Sequence, residues 1–300
     1  MDGDHACGSE NSSVSLVNNT STSRGSSSDD SSPGPPCNEM NQLGRCVDDV
    51  NNCVTGDDCE ILKFPAVSCP EKIVLCVDLA EDPDYTPFKL GQGSKFSPLY
   101  MVKRVTEIFL YSKNIISLEH EFALVVLKTD EAVWLSDFCS NPKEIISILE
   151  GLSETTQNET FNLTSLFDVI KRNVKLPAPH ANNPELCPPY SVRVILLYSR
   201  SFCVPEFRQG RESFNVLTSS PYFTLDILYI HEQPSEDNKC EEAFSVLDGL
   251  DEQELSYVYD VLRNATKLHD HMAKLLAHPL QRPAQKRTHY KLKEPQDIAK

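Results

Sequence analysis

Three groups of residues in this chain have side chains and spacings that could do chemistry. Leu268-His269-Asp270-His271 sets two imidazoles two positions apart, a pair that holds zinc when both point into one site. The apolar stripe Leu268, Met272, Leu275 and Leu276 has helical spacing, however. Residues two apart on a helix face different directions, so these histidines read as solvated side chains. His231-Glu232 begins like a zinc-hydrolase helix motif and lacks its second histidine. Asp78 closes the apolar run KIVLCVD, which would deliver it from a buried strand to the sheet's carboxyl edge, where open α/β folds place their ligands. No phosphate-cradling glycine loop, G-x-S-x-G elbow or Cys-protease signature occurs, so no nucleophile is legible.

The elements that must position these groups alternate between strand and helix from about residue 69 to 277. Lys72 to Leu79 reads as a buried strand. A loop with Pro83, Pro87, Gly91 and Gly93 leads to a helix from about Ser97 to Ser112, whose stripe is Leu99, Val102, Val105 and Phe109. EFALVVLKTDEAVWL then gives two apolar runs around Lys128 to Glu131, an antiparallel hairpin. Asn141, Pro142 and Glu144 read as N-cap, first helical residue and capping-box acid of a helix to Glu150. Thr160 to Arg172 is expected to be helical, and a Pro-rich loop from Pro177 to Pro189 precedes a strand from Val192 to Ser199. A helix near Glu206 to Leu217, strands at Tyr222 to Ile230 and Ser256 to Leu262, and a helix from Asn264 to Ala277 complete the series. The pattern predicts an α/β doubly wound, mostly parallel sheet with an antiparallel edge hairpin and helices on both faces.

Composition bounds the rest. The 300 residues are 40% apolar, enough for one principal domain with appendages. A net charge of -16 disfavours direct contact with nucleic-acid backbones or anionic lipid, which leaves proteins as expected partners. The 11 cysteines contain no CxxC pair and read as free, reduced thiols. Residues 1–30 have no signal-peptide pattern, and no run reaches membrane-spanning length, so a soluble intracellular protein is expected. Residues 1–68, rich in serine and acids with only Arg24 and Arg45 as early cations, read as a disordered acidic tail. Residues 278–300 read as an extended basic tail, because Pro279 ends the preceding helix.

With these residues assembled, the domain resembles von Willebrand A (vWA) domains, where an Asp-x-Ser-x-Ser loop joins a later Thr and Asp to hold a divalent cation. Asp78 matches the aspartate, but Ala80 and Asp82 stand at the two serine positions. Thr160, at the head of TFNLTSLF, falls where the family's metal-contacting threonine lies. Tyr198-Ser199-Arg200 replaces the Thr-Asp-Gly of the third loop. Such a set, with Arg200 adding positive charge, is expected to bind no metal and no other cofactor. Asp78 should instead bond to Thr160 or to nearby backbone. The remaining alternative is a vWA-type adhesion or ligand-binding module with a degenerate metal site.

The strings CPEKIVLCVDL, HEFALVV, TFNLTSLF, SVRVILLYSR, PYFTLDILYIH and MAKLLAHPLQRP narrow the resemblance. Across about Cys69 to Pro283 the chain is similar to the vWA-like scaffold subunits of the BRISC and BRCA-one-A deubiquitinase assemblies. That resemblance implies a non-catalytic adaptor. It would join a subunit of ubiquitin E2-variant (UEV) folds, and through it a JAMM metalloprotease and its pseudo-enzyme scaffold, acting on non-degradative ubiquitin chains. Roles in DNA repair and in receptor deubiquitination, hence nuclear and cytoplasmic locations, follow from it as well. The chain itself departs from the JAMM pattern, since Pro279 and Arg282 stand where the serine and aspartate that follow HxH would fall. For docking to the UEV subunit the expected residues are His278, Pro279, Leu280, Gln281, Arg282 and Pro283. Leu280 would be the buried anchor and Arg282 would pair at the partner's rim.

Overall fold

The computed structural model describes residues 69–178, 187–251 and 255–288. The tail expected over 1–68 lies outside them, as does the C-terminal tail from residue 289.

The architecture is set by four strands that are apolar almost throughout. In chain order the elements begin with β1 (Glu71–Asp78), the short strands β2 (Phe88–Lys89) and β3 (Lys95–Phe96), and α1 (Pro98–Ile116). The hairpin β4 (Glu121–Leu127) and β5 (Ala132–Cys139) follows, then α2 (Pro142–Glu150), β6 (Thr160–Asn162) and α3 (Leu163–Asn173). The second half comprises β7 (Ser191–Tyr198), β8 (Val204–Glu206), α4 (Glu212–Thr218), β9 (Phe223–His231), α5 (Cys240–Asp248), β10 (Val258–Leu262) and α6 (Ala265–Lys274). Six strands form one sheet in the order β10-β9-β7-β1-β4-β5. Every neighbouring pair is parallel except β4 with β5. Strands buried on both faces need near-continuous apolar runs, which β7 and β9 have apart from one buried charge each, Arg193 and Asp226, whereas β5 at the edge alternates.

Residues of α1, α2 and α6 cover one face of the sheet and those of α3, α4 and α5 the other. Asn141, read from sequence as an N-cap, accepts from the Lys143 N–H through Oδ1, and Ser97 Oγ likewise accepts from the Tyr100 N–H at the start of α1. This is a vWA-like α/β fold, with the antiparallel β4–β5 hairpin at the edge of its main sheet. Among the described residues no helix is long and apolar enough to cross a membrane.

Four local expectations are corrected. Thr160 does not start a helix; Thr160–Asn162 pair with Val204–Glu206, and Asn162 caps α3 by accepting from the Thr164 N–H. The helix expected from Glu206 begins at Glu212 instead, after Gly210 turns the chain at φ +97. Helix α5 was not anticipated, since its stripe of Cys240, Ala243 and Leu247 spans little more than two turns. Helix α6 ends at Lys274, a few residues before Ala277.

Candidate functional site

Parallel strands deliver their last residues to one edge of the sheet, the place where open α/β folds collect ligands. Asp78 ends β1 there, between Leu127 of β4 and the turn after β7, and it is buried. Its Oδ1 accepts from the Ala80 N–H at 3.1 Å and its Oδ2 from the Ser199 N–H at 3.1 Å. Arg200 supplies the rest: Nε lies 3.0 and 3.1 Å from the two carboxylate oxygens, and Nη2 lies 2.9 Å from Oδ1. The guanidinium also donates to the Thr129 carbonyl at 2.7 Å and stacks 4.5 Å above the Phe161 ring. Burial opposes the charge on Arg200, and the adjacent Asp78 carboxylate outweighs it, so the guanidinium is held protonated above its ordinary range.

The other sequence-predicted positions separate around this pair. Asp82 is buried and accepts from the Ser201 N–H and hydroxyl, from Gln157 and from Arg263 Nη2 at 2.7 Å. Burial raises its carboxyl above the usual range, with the Ser201 and Arg263 contacts working against that rise. Thr160 does not bond Asp78; its hydroxyl accepts from Arg208, which also pairs with Asp130 and Glu206. Ala80 contributes only backbone, and Ser199 contributes its N–H. Each carboxylate oxygen of Asp78 thus already faces a donor, and the site's positive charge is a guanidinium.

The histidines do not converge. On α6, His269 bonds the Ala265 carbonyl through Nδ1, while His271 stacks on Tyr259 with ring centroids 4.1 Å apart. His231 pairs with Asp260 of the edge strand. Among the described residues no cluster of three or more His, Cys, Asp or Glu side chains is arranged to hold a metal.

At the opposite edge of the sheet the structure assembles a charged network that spacing alone did not reveal. Glu71, Lys113, Arg193, Asp226 and Arg282 are all buried. Arg193 Nε donates to Asp226 at 2.7 Å, and its Nη1 reaches Glu71 at 3.2 Å and the Leu275 carbonyl at the end of α6 at 2.6 Å. Lys113 pairs with Glu71. Arg282 forks onto Asp226 and lies over the Tyr257 ring, its Cζ 3.8 Å from the centroid. Burial raises the Asp226 carboxyl, but Arg193 and Arg282 together hold it below the usual carboxylate range.

This network changes the reading of the C-terminal segment. His278 to Pro283 is turned, not extended, with the Gln281 and Arg282 N–H groups both donating to the His278 carbonyl. Pro279 and Arg282 are buried, Leu280 is half-buried, and Gln281 and Pro283 are exposed. Arg282 therefore faces its own domain and not a partner's rim, because Asp226, buried in β9, requires a cation. Gln285 extends the attachment by pairing its side-chain amide with both backbone groups of Val258 on the β10 edge. The sequence signal was present: a carboxylate inside YFTLDILYI and an arginine inside VRVILLY cannot be buried without partners.

Among proteins of known identity, BRISC and BRCA1-A complex member 1 of Homo sapiens is 41% identical over 243 residues, 79% of this chain and 73% of that protein. The Xenopus tropicalis protein of the same name is 40% identical over 250 residues, 82% of this chain and 77% of its own. No family profile matches. The solved SpRpn10 VWA domain overlays 71% of this chain and 97% of its own, at 12% identity and a TM-score of 0.45. A von Willebrand factor type A protein from Catenulispora acidiphila overlays 71% of this chain and 43% of its own, at 15% identity and a TM-score of 0.45. On the extent and identity of its curated relatives, this chain belongs to the BRISC and BRCA1-A complex member 1 family.

Proposed function

We propose that this chain is a non-catalytic adaptor that assembles and stabilises a JAMM-type deubiquitinase complex acting on non-degradative ubiquitin chains. The observation that carries the reading is the ligand edge of the sheet. There Arg200 sits on Asp78 where a vWA ligand-binding site would hold its cation, so the fold keeps its frame without an ion. On this reading the domain needs neither metal nor cofactor, and the vWA adhesion alternative loses its means of binding. DNA repair and receptor deubiquitination, in nucleus and cytoplasm, are the settings that fit such a subunit.

The adaptor docks to the UEV-fold subunit, and through it to the JAMM metalloprotease and its pseudo-enzyme scaffold, by the face that the His278–Pro283 turn presents. Leu280, Gln281 and Pro283 remain accessible for that contact, while Arg282 and Pro279 fix the turn from beneath. A preformed turn loses less conformational entropy on binding than a flexible peptide would. Purified chain mixed with ubiquitin chains tests the non-catalytic part. No cleavage is expected, whereas cleavage abolished by His269→Ala with His271→Ala would refute it.

A further inference from the structure

The starts of β1 and β7 lie side by side, with the Ser191 N–H donating to the Pro70 carbonyl at 2.9 Å and Glu71 registered against Ser191. That pairing brings together two thiols far apart in sequence. Cys69, just before β1, is buried, whereas Cys187, four residues before Ser191, is exposed. Pro188 and Pro189 restrict the backbone between Cys187 and β7, and the Tyr190 hydroxyl pins it by donating to the Lys175 carbonyl at 2.8 Å. The Cys187 thiol is a side-chain hydrogen-bond neighbour of the Cys69 thiol, and it also lies 3.5 Å from the Pro188 carbonyl.

His278 completes the cluster. Its Nδ1 accepts from the Leu280 N–H at 3.2 Å, so the ring proton resides on Nε2. That Nε2 lies 3.7 Å from Cys69 Sγ, 3.2 Å from the Cys69 carbonyl and 3.5 Å from Ser191 Oγ. Burial, reinforced by the adjoining Cys187 thiol, pushes the Cys69 thiol up to about 11, so it rests protonated. An accessible thiol beside a second, shielded one is the arrangement that oxidant-sensing pairs use, the first meeting the oxidant and the second resolving it.

We propose that Cys187 and Cys69 form a reversible, peroxide-sensitive disulfide pair. Hydrogen peroxide oxidises the Cys187 thiol to a sulfenic acid and is itself reduced to water. Cys69 Sγ then attacks Cys187 Sγ: the S–S bond forms, the S–OH bond breaks, and the hydroxyl leaves as water with the Cys69 proton. The His278 Nε2–H, aimed at Cys69 Sγ, stabilises the negative charge that builds there during the attack. A dithiol reductant reopens the bond by exchange, returning both thiols and becoming a disulfide itself. In a reducing compartment such a bond is transient and reports oxidant, and is not a structural staple. The proposal goes beyond the adaptor reading and does not rest on it, since its readout is a bond in the free chain.

The test is peptide mapping of the full chain, alkylated without reductant after treatment with a few equivalents of hydrogen peroxide. A peptide joining Cys69 to Cys187 is expected, and dithiothreitol should release it. Cys187→Ser, a change at an exposed position, should melt as the parent does and lose this peptide. Cys69→Ser removes the resolving thiol, so Cys187 should persist as a sulfenic acid and its dimedone adduct should rise several-fold over the parent. The proposal is overturned if the oxidised parent yields no Cys69–Cys187 peptide, or if it pairs Cys187 with an N-terminal cysteine in preference. It is equally overturned if dimedone labels Cys69 in the Cys187→Ser chain as readily as Cys187 in the Cys69→Ser chain.

Discussion

The Arg200 guanidinium lies against both carboxylate oxygens of Asp78, with contacts of 2.9 to 3.1 Å, and both residues are buried. An aspartate at that edge could serve as a cation ligand, and here its charge is answered by a side chain two positions beyond the end of the neighbouring strand β7. The pairing makes Asp78 a structural residue. It joins β1 to the turn after β7 and, through the Thr129 carbonyl, to the hairpin turn between β4 and β5.

Removing one partner of a buried ion pair leaves an uncompensated charge, which costs about 3–5 kcal/mol. Arg200→Ala should therefore lower stability by that order in chemical denaturation, while Asp78→Asn with Arg200→Met should recover much of it. Millimolar magnesium or manganese should leave the melting temperature of the parent unchanged, since only a ligand of the native state raises it. A rise abolished by Asp78→Ala would overturn the metal-free reading.

Arg282 and Asp226 make the corresponding pair at the other edge. Arg282→Ala should destabilise the chain by roughly 3–5 kcal/mol, and the coupling should appear in a double-mutant cycle with Asp226→Asn. Truncation after Ala277 removes the same arginine, so loss of partner binding by that truncated chain would report unfolding as much as docking. An Arg282→Ala variant with parental stability would show that the segment is not fixed to the sheet.

Acid should weaken the fold before its carboxylates titrate. Burial, reinforced by Lys113, drives the His120 pKa down to about 4, with Glu71 opposing; Arg193 and His278 also face it. In the unfolded chain this histidine takes up a proton below about pH 6.5, whereas the native state does not until about 4. The unfolded state binds more protons across that window, so stability falls as pH is lowered through it, by on the order of 2 kcal/mol for this residue. His271, also held at about 4 by burial, adds to the slope. Melting temperatures between neutral pH and about pH 5 check this. A flat profile, or one that His120→Asn leaves equally steep, would contradict it.

Much of the fold was legible because its strongest signals are local. The apolar runs of β1, β4, β7 and β9 identify buried parallel strands, and Lys128 to Glu131 between two such runs identifies the edge hairpin. That Asp78 would end β1 at the edge of the sheet was legible from the apolar run that precedes it. What periodicity could not supply was pairing at a distance. Thr160 joins a two-stranded ladder with residues more than forty positions away, and its hydroxyl answers Arg208 in place of Asp78. Arg282 looked like an exposed tail residue because the carboxylate that buries it lies 56 positions earlier in β9.

The central claim is that the chain stabilises its complex through the accessible face of the His278–Pro283 turn. The direct measurement is ubiquitin-chain cleavage by the reconstituted JAMM and UEV-containing assembly, with parental chain or with a Leu280→Asp, Gln281→Ala variant confirmed to melt as the parent does. The account predicts that the parental chain raises the activity and thermal persistence of the assembly, and that the variant neither co-purifies with the UEV subunit nor raises either quantity. A folded variant that co-purifies and stabilises the enzyme as fully as the parent would contradict it.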